Sequence, residues 1–306
     1  MSELPNSLLH LIDQETNQPA DPAIHRIAEA ACQRATQGRP DAVLSVLFYG
    51  SCLRSGVPHD SLVDLYLLVD SYDSVHAGTL MRHLNRLLPP NVYYIEIAHE
   101  GRTVRAKYAV MTLDQFARRV GPAGFHPYFW ARFAQPTGIL AARDEESRQE
   151  TVAALARATV TLARAARGLF GQTPPPEVLW TRAFAETYRT ELRAEDGGRA
   201  RQLYDRYGDR YDRIWECLQA EGLLSETLST SEGARRWLMR RLAGKLLSVL
   251  RLAKAAFTFT DGQAYLLWKI ERHSGVRVAP TAWQKRHPLL SAPILAWRLY
   301  RRGGFR

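Results

Sequence analysis

Five residues in this chain are of types that together could hold and transfer a phosphorylated ligand: Gly50, Ser51, Asp64, Lys107 and Arg132. Gly50 has no Cβ, so its backbone can come close to a polyphosphate. Ser51 can donate its hydroxyl and its backbone N–H to phosphate oxygens at the start of a helix. Asp64 stands between Val63 and Leu65 in an apolar run. An acid in that setting needs a partner or a metal. As a metal ligand it would hold Mg²⁺ over a reacting phosphate. Lys107 lies inside the apolar stretch Thr103–Met111. It reads either as a cation for a triphosphate or as a side chain snorkelling from a sheet edge. Arg132 follows three aromatics, Tyr128, Phe129 and Trp130. Its planar fork suits a phosphate bidentately, and it also suits stacking on those rings.

A second metal ligand is harder to find. Position 66, two residues beyond Asp64, is Tyr. Asp70 shares the face of Asp64 by period 2 but lies about 20 Å along the strand, too far to share an ion. Glu96, inside the apolar run Val92–Ile97, is the expected second ligand, with Asp60 next. Glu96 also reads as a solvent-facing strand residue.

The elements that must position these groups are legible from the pattern. Val43–Tyr49 and Leu62–Val69 are apolar runs of strand length. Gly50-Ser51 and a short polar segment separate them. Strand, Gly-Ser turn, short helix and strand with an embedded acid resemble the nucleotidyltransferase palm. Pro22–Thr36 has apolar residues at helical spacing, with Pro in its first turn. His76–Leu88 reads as an amphipathic helix ending at Pro89-Pro90. Val92–Ile97 and Thr103–Met111 are further strands, and Leu113–Val120 is a short helix. After a long Ala-rich helix, Ser147–Phe170, the stretch Gln172–Glu177 is the clearest linker. It places one domain at residues 1–172 and a second, mostly helical one at 173–306. The helical periods there are Val178–Arg193, Gly198–Gly222, Ser231–Ala256 and Gln263–His273.

With 306 residues, 46% hydrophobic and 24% charged, the chain is globular and can bury a sizeable core. No apolar run reaches the length of a membrane span. The first residues lack a basic segment and a long apolar segment, so no signal peptide is expected. Cys32, Cys52 and Cys217 form no metal-binding spacing, which suggests a reducing compartment. The net charge of +10 is segregated. Residues 235–306 hold 16 Lys/Arg against 2 Asp/Glu, while the remainder holds 25 against 29. A basic last quarter points to a polyanionic partner, either nucleic acid or an anionic lipid surface. In Arg235–Lys254 the side chains of Leu238, Met239, Leu242, Leu246 and Leu250 line one side, with most cations opposite. That pattern predicts one face on the core and one on lipid headgroups. Pro293–Arg302 combines Ile294, Leu295, Trp297 and Leu299 with three arginines and reads as a membrane-surface segment or a docked terminal helix.

Several of these segments, in this order, resemble the translocator assembly and maintenance family of mitochondrial-type phosphatidate cytidylyltransferases. The likeness begins at Tyr49-Gly50-Ser51. It continues through Leu62-Val63-Asp64-Leu65, which is similar to the family's Met-Ile-Asp-Phe with its single Asp. Val75-His76 is similar to a Trp-His, and Lys107-Tyr108-Ala109-Val110 to a Lys-Tyr-Gly-Val. Ala131–Pro136 resembles Gly-Arg-Leu-x-Lys-Pro. The likeness covers roughly residues 45–270. Val75 replaces Trp, Thr79 replaces Asn, Ala109 replaces Gly and Gln135 replaces Lys, the last removing a phosphate contact.

The resemblance implies an α+β fold, with a nucleotidyltransferase palm followed by a winged-helix-like helical domain and a basic tail. It implies a Mg²⁺-dependent reaction of CTP with phosphatidate, giving CDP-diacylglycerol and pyrophosphate. Its catalytic residues would be Asp64, Ser51 and Lys107. Substrate would be bound by Gly50, Ser51, His76, Lys107 and Arg132, and the metal by Asp64 and Glu96. His76 enters only through the resemblance. The expected partner is phosphatidate in an anionic membrane surface rather than nucleic acid, with a cytoplasmic, peripheral membrane location. Two alternatives stay open: nucleotidyl transfer to RNA or to a soluble small molecule, and a non-catalytic anionic-surface binding protein on a decayed palm, as Tyr66 suggests.

Overall fold

A computed structural model describes residues 4–55, 62–75, 78–191, 198–225 and 229–258, together with Thr281, Trp283, Gln284 and Trp297. The fold is α+β and is built on one five-stranded mixed sheet. The chain opens with α1 (Asn6–Thr16) and α2 (Pro22–Thr36). Pro22 starts α2, and Asp21 caps it by accepting the Ala23 N–H at 2.8 Å. Strand β1 (Val43–Tyr49), the short α3 (Ser51–Ser55) and β2 (Leu62–Val69) follow. Helix α4 (Thr79–Leu87) leads to β3 (Asn91–His99) and β4 (Arg102–Thr112). Then come α5 (Leu113–Val120), α6 (Trp130–Phe133) and the edge strand β5 (Gly138–Ala142). Helices α7 (Glu145–Arg167), α8 (Pro176–Tyr188), α9 (Gly198–Ala220) and α10 (Thr230–Thr258) complete the described chain.

The strand order is β3-β4-β2-β1-β5. The central pair β2 and β4 is parallel and every other pair is antiparallel. Strand β2 lies inside the sheet with both faces covered, so its sequence is nearly continuous apolar. One face, through Val46, Phe48, Leu65, Leu67 and Val110, packs on Ile24, Ile27, Ala28 and Ala31 of α2. The other, through Leu47, Tyr66, Leu68, Ala109 and Met111, packs on the later helices. That second cluster runs without a break from the sheet to Trp180 and Phe184 of α8, Tyr211 of α9 and Trp237 of α10. The core is therefore continuous across the Gln172–Glu177 linker.

Helix α10 departs from its expected orientation. Leu238, Met239, Leu242, Leu246, Val249 and Leu250 are exposed, Leu246 to 62%. The inward contacts are made by Trp237, by the backbone at Gly244 and by cations. Arg251 Nε donates to the Pro89 carbonyl at 3.2 Å. Lys254 Nζ donates to the carbonyls of Leu88 and Pro90, the latter at 3.0 Å. The turn before β3 offers carbonyl oxygens to Arg251 and Lys254, so these two cations face in and the apolar side faces out, while Arg235, Arg236 and Lys245 are exposed. Among the described residues, no helix is long and apolar enough to cross a membrane. Gln263–His273 lies outside the described residues. So does all of Pro293–Arg302 except Trp297, which is exposed.

Candidate active site

The sheet register brings the sequence-expected residues into one row. Tyr49 of β1 pairs with Asp64 of β2, Asp64 with Lys107 of β4, and Lys107 with Tyr94 of β3. Residues directly opposite one another in a sheet project from the same face. Lys107 Nζ lies 2.9 Å from Asp64 Oδ1. Burial disfavours the Lys107 ammonium, but the adjacent Asp64 carboxylate, with Tyr49, more than offsets it and holds the amine charged above the ordinary lysine range.

Gly50 follows β1 with φ at +87°, and a Cβ there would stand 2.8 Å from Asp64 Oδ2. Both the backbone conformation and the space exclude a larger residue. The turn after β1 therefore seals one side of the Asp64 carboxylate with backbone. Ser51, exposed, begins α3 beside it.

Gly50, Ser51, Asp64, Lys107 and Arg132 all line one cavity of about 930 Å³. That size is at the upper end for a small-ligand site, where pockets run roughly 300–1,000 Å³. Arg132, on the one-turn α6, is held by tyrosines. Its Nη1 donates to the Tyr66 hydroxyl at 3.4 Å, and its guanidinium lies 4.6 Å from the Tyr128 ring centroid and 5.7 Å from that of Tyr49. Burial disfavours the charge on Arg132, but the surrounding phenols, Tyr128 foremost, keep it charged. Tyr66, standing where a second acid would fall, is therefore a support for Arg132. Its ring also meets Phe133 edge-on at 4.9 Å and Tyr49 at 5.6 Å.

Glu96 is not part of this site. The β3–β4 register sets it opposite Arg105, with Arg105 Nε 3.4 Å from its Oε1, and the Tyr94 hydroxyl donates to the same oxygen at 2.5 Å. It lies two strands across from Asp64 and two residues along, and it does not line the cavity. The expected pairing of Asp64 with Glu96 as metal ligands therefore fails on register. Asp60 and His76 lie outside the described residues. The cavity is instead lined by two other carboxylates, Glu191 after α8 and Asp205 on α9. Nothing in the local sequence marks either one, since α8 and α9 are brought to the sheet by long-range packing. Asp205 accepts from Arg201 Nε at 2.7 Å.

Among the described residues no group of three His, Cys, Asp or Glu is placed to enclose a metal. Mg²⁺ needs no such cage, because it binds through one or two carboxylates, substrate phosphates and water. Asp64 fits that use: its Oδ1 is buried with no aligned hydrogen bond, although it faces the Lys107 ammonium.

His126 also lines the cavity, and sequence reading missed it. Its Nδ1 accepts the Tyr128 N–H at 3.2 Å, so in the neutral ring the proton sits on Nε2. Burial, then Arg251, Arg240 and Arg119, push the imidazole down to about 4. The unfolded chain binds a proton at its ordinary value near 6.5, so the folded state loses stability as pH falls through 6.5 toward 4. Between pH 7 and pH 5 this one residue should cost about 2 kcal/mol or less. Urea unfolding of the wild type and His126→Asn at both pH values checks it. An equal pH dependence in the two proteins would refute the assignment.

The chain matches no protein-family model, and no curated protein is similar to it.

Proposed function

We propose that the protein is a Mg²⁺-dependent nucleotidyltransferase that joins CTP to phosphatidate at an anionic membrane surface, releasing pyrophosphate and forming CDP-diacylglycerol. In this reading the sheet and its Gly50-Ser51 turn are a nucleotidyltransferase palm, and α8 to α10 belong to a winged-helix-like second unit. The observation that carries it is the row Tyr49–Asp64–Lys107 beside Gly50, opening on a large cavity shared with Arg132. A lone acid and two cations around a glycine turn suit a polyphosphate better than a neutral ligand.

An oxygen of the acceptor phosphate attacks the α-phosphorus of CTP. The new O–P bond forms as the bond from that phosphorus to the β-bridging oxygen breaks, and pyrophosphate leaves with the electron pair. The acceptor is already ionised, so no side chain has to remove its proton. Ser51 and Lys107 orient and neutralise the departing phosphates, and Arg132 holds an anionic group across the cavity. Bound Mg²⁺, held by Asp64, would supply charge neutralisation on the transferring phosphate. The tyrosine support of Arg132 favours a working site over a decayed one, because it holds a guanidinium in place at the cavity wall.

The test is purified protein with each nucleoside triphosphate, Mg²⁺ and phosphatidate vesicles, with products read by mass. A cytidylylated lipid and pyrophosphate are expected. Nucleotide addition to RNA or to a soluble acceptor, with none to lipid, would overturn the lipid reading. Lys107→Ala and Arg132→Ala should each weaken transfer by about 1.5–3 kcal/mol, the range for hydrogen bonds to charged groups. For Lys107 the effect should fall on the KM for CTP, and for Arg132 on that for the acceptor. Unchanged KM values would reject these roles.

A further inference from the structure

Helix α10 places a second guanidinium on the ring that carries Arg132. Arg251 lies 4.0 Å from the Tyr128 ring centroid, closer than Arg132 at 4.6 Å. Arg251 does not line the large cavity. It is fixed from behind by the Pro89 carbonyl at 3.2 Å, and Lys254 binds the carbonyls of Leu88 and Pro90 one turn further on. Its Nη1 is buried and has no hydrogen-bond partner.

A half-satisfied guanidinium is an expensive packing residue. Burying an N–H with no partner costs free energy that an apolar side chain of similar volume would not. Besides the Pro89 carbonyl, what this cation gains is the Tyr128 ring, which it shares with Arg132. Tyr128 is also held by the core it packs against and by Phe129, whose ring it meets edge-on at 5.0 Å, but Arg251 and Arg132 are the two cations on its ring.

We propose that Arg251 is a positioning residue for the anion-binding wall, fixing the Tyr128 ring that in turn holds Arg132 toward the cavity. The proposal rests on the phosphate-binding reading of Arg132 given above. It also gives α10 a second role in the site: Ser248 lines the cavity directly, whereas Arg251 acts from outside it. Burial of the Arg251 cation weakens its hold on its own proton, in keeping with a residue held there against its solvation.

The probe is inorganic tripolyphosphate, bound to the full chain and measured by calorimetry. Arg251→Met should bind it about tenfold more weakly, the loss of one desolvated cation–ring contact. Its melting temperature should change little, because losing a buried cation with an unmatched N–H offsets the lost Pro89 contact. A merely structural arginine would not separate affinity from stability in this way. Tyr128→Leu should show a similar loss, and adding Arg251→Met to it should cause no further loss. Wild-type affinity in Arg251→Met, or a second full loss in the double variant, overturns the proposal. Arg132→Ala is the control for the underlying reading: if it binds tripolyphosphate as tightly as wild type, the phosphate role of Arg132 fails, whatever Arg251 does. Should Arg251→Met not fold, Arg251→Lys keeps the charge and the reach to Pro89 but loses the flat stack. It is expected to bind about threefold more weakly, and affinity equal to wild type would then overturn the proposal.

Discussion

Asp64→Asn is expected, on the proposed function, to lower nucleotidyl transfer at least about a thousandfold, a loss of ~4 kcal/mol of transition-state stabilisation. The amide keeps the shape of the side chain and removes the charge that a divalent cation requires. Two contacts make the effect specific. Gly50 backs one carboxylate oxygen so closely that no Cβ fits, and Lys107 faces the other at 2.9 Å. The substitution also leaves the Lys107 ammonium without its carboxylate, so a stability loss of about 1–3 kcal/mol accompanies it. Lys107→Met separates the two effects, because it removes the ion pair and keeps the acid. Turnover assays with urea unfolding on both variants decide the matter. If Asp64→Asn is folded and retains turnover within tenfold of wild type, Asp64 does not hold the metal.

The largest effect on stability should come from Arg210→Ala. Arg210 is buried on α9, and its Nε lies 2.7 and 2.8 Å from the two carboxylate oxygens of Glu15 on α1. Its Nη1 donates to the Ala134 carbonyl at 3.0 Å. One side chain thus ties α1, α9 and the segment following Arg132. Burial disfavours the charge on Arg210, and Glu15 more than compensates. Removing the cation leaves a carboxylate with little access to water and an unmatched carbonyl, at a cost of about 3–5 kcal/mol. Arg210→Met with Glu15→Leu should recover most of that loss, because both charges then go together. Urea midpoints of the single and double variants measure it. A single-variant loss under about 1 kcal/mol would show that water reaches the pair and screens it.

Much of the sheet was legible because its signals are local. Strands β1 and β2 have the ends read from their apolar runs, bounded by Gly50 and Asp70. Helix α2 has the ends implied by Pro22 and its spacing. Gly50, Ser51, Asp64, Lys107 and Arg132 were each recognisable by type and setting, and they line one cavity. What the pattern could not supply was long-range register and facing. Strand β5 has only five residues and little alternation, so nothing separates it from a loop before it pairs with β1. Helix α1 passed unread because its turns alternate apolar residues with His10 and Asp13, and its packing partners lie on α7 and α9. Glu96 failed because an acid in an apolar run is equally consistent with a metal site and with a cross-strand arginine, and only the β3–β4 pairing decides. On α10 the spacing grouped the apolar side chains correctly. The choice of inward face was set by carbonyls more than 160 positions earlier in the chain.

The cluster around Arg132 also sets Tyr128 apart from other buried tyrosines. Burial first of all raises the ionisation of Tyr49, Tyr66, Tyr94 and Tyr211 above that of a free phenol. Tyr128 is buried too, but Arg132 and then Arg251 outweigh burial and draw its ionisation below the ordinary phenol range. Raising the pH therefore favours the phenolate at the cavity wall over those of these four. The difference in near-ultraviolet absorbance between the wild type and Tyr128→Phe is then an intrinsic, label-free signal from the site, and an anion that draws Arg132 away from the ring would move it toward alkaline pH.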